Sequence, residues 1–142
     1  MIALSVTAAA VLMQAPVPAL PAEDQVRAAL QSYLQGQATG DPAHYRRVFH
    51  PDARLHGVRD GRPEQRSLTE YLAMQSGRAA SDEAQRRRSI TEVRVTGDAA
   101  IATILLNYPR AVTTDYMSMV RENGRWLIVH KLYNVQTRRP AQ

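Results

Sequence analysis

Asn123-Gly124 stands between two runs rich in apolar, β-branched and aromatic residues, Thr113–Arg121 and Arg125–Asn134. That pair dictates a two-residue hairpin, because both central positions of a type I′ turn need positive φ. A third run, Ala99–Tyr108, precedes them, bounded by Gly97-Asp98 and Pro109. The closing part of the chain therefore reads as three consecutive strands. The short loop pairs Glu122 with Arg125, and counting back pairs Val120 with Leu127, Ser118 with Val129 and Tyr116 with Lys131. Side chains alternate along a strand, so Tyr116, Ser118, Leu127, Val129, Lys131 and Tyr133 are expected on one face. Met117, Met119, Trp126, Ile128, His130 and Leu132 are expected on the other. Lys131 is the only lysine in the chain, and it sits in a strand that otherwise reads as buried.

The segments before these strands are helical in pattern. Glu23–Gln37 places Val26, Ala29, Leu30, Tyr33 and Leu34 on one helix face, with Glu23 and Asp24 in the first turn. Asp41-Pro42 supplies a cap and a first-turn proline for a second helix carrying Tyr45, Val48 and Phe49, which Pro51 is expected to end. Ala53–Gly57 reads as a short strand and Val58–Pro63 as turn. Ser67-Leu68-Thr69-Glu70 is a capping box opening a third helix, with Leu68, Tyr71 and Leu72 inward and Gly77 as its C-cap. Ala79–Arg87 reads as loop and Ser89–Val95 as a further strand. Helices gathered at one end and antiparallel strands at the other give an α+β class, with helices covering one face of a curved sheet.

A chain of 142 residues has room for one core, and 44% apolar content excludes disorder over most of it. Without cysteine there is no disulfide, thiolate nucleophile or zinc knuckle. The net charge of +5 is spread over every segment as scattered arginines, with no basic stripe or aromatic-basic motif, so no nucleic-acid partner is expected. Ile2–Met13 followed by Val17-Pro18-Ala19 has the pattern of a signal peptide with a weak n-region, too short to span a membrane. The division expected is a signal peptide and proline-rich linker over 1–22, a domain over 23–136 and a disordered tail over 137–142. A periplasmic or secreted protein follows, cytoplasmic being the alternative.

The stretches YLQGQATGDPAHYRRVFHPDARLHG and DYMSMVRENGRWLIVHKLYN resemble the nuclear transport factor 2-like superfamily. With SLTEYL and TEVRVTGDAAIATILLNYPRAV they are most similar to its branch called putative lumazine-binding. The resemblance runs from about Glu23 to Val135. It implies a cone of helices over a strongly curved antiparallel sheet, with a pocket at the open end and usually a homodimer. The superfamily also holds ketosteroid isomerase, scytalone dehydratase and polyketide cyclases, beside proteins that only bind. By the same resemblance Tyr33 falls where the isomerase keeps its oxyanion tyrosine and Tyr116 where it keeps a proton-donating aspartic acid. Gly57 falls where it keeps its base, and Lys131 where some cyclases keep an aspartate. Glycine at 57 leaves no base, so isomerase activity is not implied.

The ligand-pocket candidates are accordingly Tyr33, Phe49, Leu55, Tyr116, Ser118, Lys131 and Tyr133. The dimer-interface candidates are Met117, Met119, Trp126, Ile128, His130 and Leu132, with Asp115 and His130 as a hydrogen-bonded pair inside that interface. His50, Asp52 and His56 lack metal-ligand spacing, so no metal and no cofactor is expected. No catalytic residue is assigned. The expected function is binding of a small-molecule ligand. The alternative is a cofactor-free lyase, isomerase or cyclase acting on an aromatic or polyketide-like substrate, with Tyr33 and Tyr116 as acids and Lys131 as electrostatic partner.

Overall fold

The computed structural model describes residues 19–139. The expected leader, up to residue 18, and residues 140–142 of the expected tail lie outside the described residues. Helix α1 (Ala22–Thr39) opens with Glu23 and Asp24 against its positive end and stops at Gly40, whose φ of 70° is left-handed. Its buried side is Val26, Leu30, Tyr33 and Gly36. A Cβ on Gly36 would lie 2.6 Å from the ring of Tyr45, so this glycine lets α2 (Pro42–Val48) pack directly on α1. Asp41 caps α2 by accepting from the Ala43 amide at 2.8 Å.

Pro51 does not end the second helical segment in the expected way. Strand β1 (Phe49–Arg59) starts at once and passes through it. The ladder with β6 is interrupted between Phe49 and Arg54, so a proline there removes no ladder bond. The expected turn over Val58–Pro63 is a hairpin instead: Asp60 and Gly61 reverse the chain and β2 (Arg62–Ser67) pairs back along β1. β2 is an edge strand with an almost wholly polar sequence, which gives no alternation to read. Ser67 and Glu70 form the expected capping box of α3 (Leu68–Ala73), but this helix ends at Met74, short of Gly77.

After a single 3₁₀ turn, Glu83–Gln85, come β3 (Arg87–Thr96), β4 (Ala99–Tyr108), β5 (Ala111–Glu122) and β6 (Arg125–Thr137). The last strand takes in Thr137, whose amide donates to Asp60 Oδ1 at 2.8 Å, so the first residue assigned to the tail belongs to the sheet. The six strands lie in the order β2-β1-β6-β5-β4-β3. Every neighbour is antiparallel except β1 and β6, which run parallel. The helices cover one face of this curved, unclosed sheet. Val26, Leu30 and Tyr33 of α1 meet Ile104, Met117, Met119, Trp126 and Ile128 there in one core. Each such large side chain, fully removed from water, contributes roughly 1.5–3 kcal/mol, which fixes which sheet face turns inward.

Candidate functional site

The turn at Asn123-Gly124 pairs Glu122 with Arg125 and Val120 with Leu127, as the sequence predicts. The register then shifts: Met119 faces Ile128, but Ser118 faces His130, leaving Val129 without a partner. This bulge reverses the alternation of β6. Trp126 and Ile128 point into the core before it, and Lys131, Tyr133 and Val135 point inward after it. Lys131 therefore faces Met117, and Asp115 faces Tyr133.

Asp115, fully buried, and Lys131, 5% exposed, are thereby brought together on the inner face. Tyr33 reaches them from α1. Its hydroxyl donates to Asp115 Oδ2 at 2.5 Å and accepts from Lys131 Nζ at 2.7 Å. The ammonium also lies 3.1 Å from Asp115 Oδ1. That oxygen accepts no hydrogen bond among the described residues, so this second contact is a charge pairing without hydrogen-bond alignment. Nζ stands 5.0, 5.3 and 5.1 Å from the ring centres of Tyr33, Tyr71 and Tyr133. A carboxylate and three aromatic faces thus replace the water that the ammonium lost. Burial, then the charge of Asp115, pushes the Tyr33 hydroxyl well above its usual range and keeps it a proton donor.

A polar chain extends outward from this centre. Gln37 donates from Nε2 to Tyr33 at 2.9 Å and to Tyr71 at 3.0 Å, and its Oε1 accepts from Tyr108 at 3.1 Å. Arg88 donates to Tyr108 at 2.8 Å and forks onto Glu83 at 2.6 and 2.7 Å. On the other side Tyr133 donates to Glu64 at 2.8 Å and accepts from Arg66 at 2.9 Å. Its hydroxyl is pushed up to about 12, first by burial and then by Glu64. A Cβ on Gly57 would lie 2.3 Å from the Tyr133 ring, so glycine is what lets this tyrosine lie flat on β1.

These groups surround a cavity of about 220 Å³ at the open end of the sheet. Lys131, Tyr133 and Val135 of β6, Leu106 and Tyr108 of β4, Gln37 of α1 and Tyr71 with Met74 of the α3 segment line it. Arg59 and Arg66 come from the β1–β2 hairpin. Lys131, Arg59 and Arg66 give the lining three cations, and among the described residues it includes no carboxylate. Glu64, beside both arginines at 3.4 and 3.1 Å, offsets part of that charge.

Of the candidates read from sequence, Lys131 and Tyr133 line the cavity, and Tyr33 lies immediately behind Lys131. Phe49 is in the aromatic core with Tyr33 and Tyr71, and Leu55 is buried under Tyr133 and Val135. Tyr116 and Ser118 are on the opposite sheet face, Tyr116 49% exposed, because Asp115, Met117 and Met119 are the inward residues of β5; the bulge then sets Leu132 and His130 opposite them in place of Lys131 and Val129. The proposed interface is corrected too, because the face of Met117, Met119, Trp126 and Ile128 is the one the helices cover, and the bulge turns His130 and Leu132 away from it. Met117, Met119, Trp126 and Ile128 are buried in the core of the single chain, while Leu132 and His130 face outward. Asp115 pairs with Tyr33 and Lys131, not with His130. His130 instead meets His56 at 2.9 Å on the outer face. Gln37, Arg66 and Tyr108 had no sequence signal of a site. Asp115 had one, as a carboxylate in an apolar strand of a chain with one lysine.

A family model described as "Putative lumazine-binding" matches residues 21–134. Among curated proteins, Aldolase FrzH of Cladobotryum sp is 23% identical over 111 residues, covering 78% of this chain and 89% of that protein. An NTF-2 like protein of unknown function from Silicibacter pomeroyi superposes with a TM-score of 0.70 at 23% identity, over 80% of this chain and 94% of that one. One from Shewanella baltica gives 0.70 at 20% identity, over 80% and 92%. An NTF2-like protein from Cytophaga hutchinsonii gives 0.62 at 10%, over 82% and 100%. At these identities the structural likenesses speak for the fold alone.

Proposed function

The chain belongs to the "Putative lumazine-binding" family of the nuclear transport factor 2-like superfamily, and from that membership we propose that its cavity binds a small, partly apolar, oxygen-bearing molecule. The observation that carries this reading is Lys131, a cation at the cavity wall whose charge is compensated from behind by Asp115 and Tyr33. One ammonium proton is donated to Tyr33 while Asp115 balances the charge, which leaves donor capacity for a ligand oxygen. Arg59 and Arg66 add a positive rim that favours an anionic end on the same molecule. The apolar wall, Leu106, Met74 and Val135, suits a hydrocarbon or aromatic body.

Titration calorimetry with a panel of small aromatic and keto carboxylates tests it. The comparison is with the double variant Asp115→Asn, Lys131→Met, which removes both charges together. A loss of roughly 1.5–3 kcal/mol in binding is expected, the worth of a charged hydrogen bond. Equal affinity for both proteins would overturn the reading.

The second reading is a cofactor-free lyase working in the same cavity. It is favoured by the Tyr33–Asp115–Lys131 cluster, in which a proton donor, a carboxylate and an amine meet within 3.1 Å, and by the curated relative named as an aldolase. Tyr116 has no part in it. We further infer that the protein is exported and forms a homodimer through the outer sheet face. Support for the latter is that Ile101, Tyr116 and Leu132 are 54%, 49% and 47% exposed on adjoining strands of that face.

A further inference from the structure

We propose that Lys131 is a covalent amine centre, forming an imine with an aldehyde or ketone carbonyl of the molecule held in the cavity. The proposal rests on the reading that the cavity receives such a molecule, and it adds a reaction to it. An amine that captures carbonyls needs access to the cavity, a nearby base to take its proton, an acid to release water, and an environment that tolerates the resulting cation. Lys131 is on the cavity wall. The base is Asp115 Oδ1, a buried carboxylate oxygen that accepts no hydrogen bond among the described residues, 3.1 Å from Nζ. The acid route is Tyr33, whose oxygen contacts Nζ at 2.7 Å and whose proton is shared with Asp115 Oδ2 at 2.5 Å.

The step balances without any outside reagent. The ammonium passes one proton to Asp115 and becomes a free amine. Its lone pair attacks the carbonyl carbon, a C–N bond forms, and the C=O π pair moves to oxygen. Proton exchange through the Tyr33 hydroxyl neutralises that oxygen and gives the carbinolamine. Asp115 then returns its proton through Tyr33 to the hydroxyl group. Water leaves, a C=N bond forms, and the aspartate is a carboxylate again. One cation on Nζ has been exchanged for another, an iminium in place of an ammonium. Asp115 and the rings of Tyr33, Tyr71 and Tyr133, which offset the first, are already placed around the second. The carboxylate-free lining and the arginine rim point to a carbonyl compound that also carries an acid group, such as a keto acid or an aromatic aldehyde acid.

Because Lys131 is the only lysine, borohydride trapping reads it almost without background. Folded protein is incubated with pyruvate and, separately, with 4-carboxybenzaldehyde. It is then reduced with cyanoborohydride and its intact mass is measured, with peptide mapping to separate Lys131 from the α-amino group. The expected result is a single reduced adduct on Lys131, at least tenfold faster than on the α-amine. Tyr33→Phe, which keeps the ring and loses the proton route, should slow it at least tenfold. The double variant Asp115→Asn, Lys131→Met should carry no adduct in the sheet. Adduct confined to the α-amine, or a Lys131 adduct that forms no faster than on unfolded protein, would overturn the proposal. If calorimetry shows either probe binding while no Lys131 adduct forms, the imine is refuted and the binding reading stands.

Discussion

Tyr33 spends its only hydroxyl proton on Asp115, at 2.5 Å, and so presents Lys131 with oxygen lone pairs alone. The three groups therefore form a closed charge arrangement, in which neither charged partner can be removed by itself without leaving the other bare in the core. Asp115→Asn and Lys131→Met should each destabilise the fold by about 3–5 kcal/mol in denaturant unfolding at neutral pH, the usual cost of an orphaned buried charge. The double variant should cost far less than the sum of the two. Additive losses would show that the charges do not sense each other.

Gly57→Ala tests how Tyr133 is seated. The added carbon has no room, since the ring atoms would be 2.3–2.5 Å away, so the tyrosine must swing off β1 and leave the cavity wall. A loss of about 1–3 kcal/mol is expected from this overpacking. Gly61→Ala, at the exposed hairpin turn, has open space around it but a φ of 80°, so it costs strain without touching Tyr133. Tyrosine fluorescence and unfolding curves separate the two effects. A Gly57→Ala protein with wild-type stability would refute the packing argument.

Acid should weaken the fold through His130. Partial burial, and secondly the neighbouring His56, hold its imidazole below the ordinary value. As pH falls the unfolded chain, with histidine near 6.5, takes up this proton before the folded chain does. The stability tied to neutral His130 is complete above about 6.5 and is lost as pH falls through the lower folded value. Melting temperature should drop by a few degrees between about pH 7 and 5. His130→Gln should remove part of that slope, and an unchanged slope would assign it to other groups.

Leu132→Glu addresses assembly. If the outer face joins two copies, a charge at a residue 47% exposed in the single chain becomes buried at the contact, and light scattering should show dimer giving way to monomer. The wild-type protein running as a monomer at micromolar concentration would exclude the dimer.

Most of the scaffold is legible in the sequence for identifiable reasons. The Asn123-Gly124 turn, the Ser67–Glu70 capping box and the Asp41-Pro42 helix start each have a local chemical cause and occur where expected. β2 is not legible, because an edge strand of Arg-Pro-Glu-Gln-Arg-Ser has no buried side to mark it. The site itself turns on Val129. Both faces of β5 and β6 carry apolar residues, so shifting the pairing by one position leaves a pattern that looks equally acceptable, and no glycine flags the bulge. The lysine and Tyr133 were identifiable as inward. Asp115 stood out as a charge in an apolar strand, but its place beside them in lieu of Tyr116 depends on the bulge and was not readable.

Strand β6 comes last in chain order among the described elements, yet it lies in the middle of the sheet, antiparallel to β5 and parallel to β1. The described α-helices and the other five described strands all precede Lys131 in the chain. Without β6, Asp115 has no cation and β1 no neighbour on its inner side. The parallel pairing, which joins β1 to the sequence-distant β6, is the kind of contact that forms slowly. Cavity and ion pair thus come into being together once β6 is in place, so a chain truncated before Arg125 would have neither.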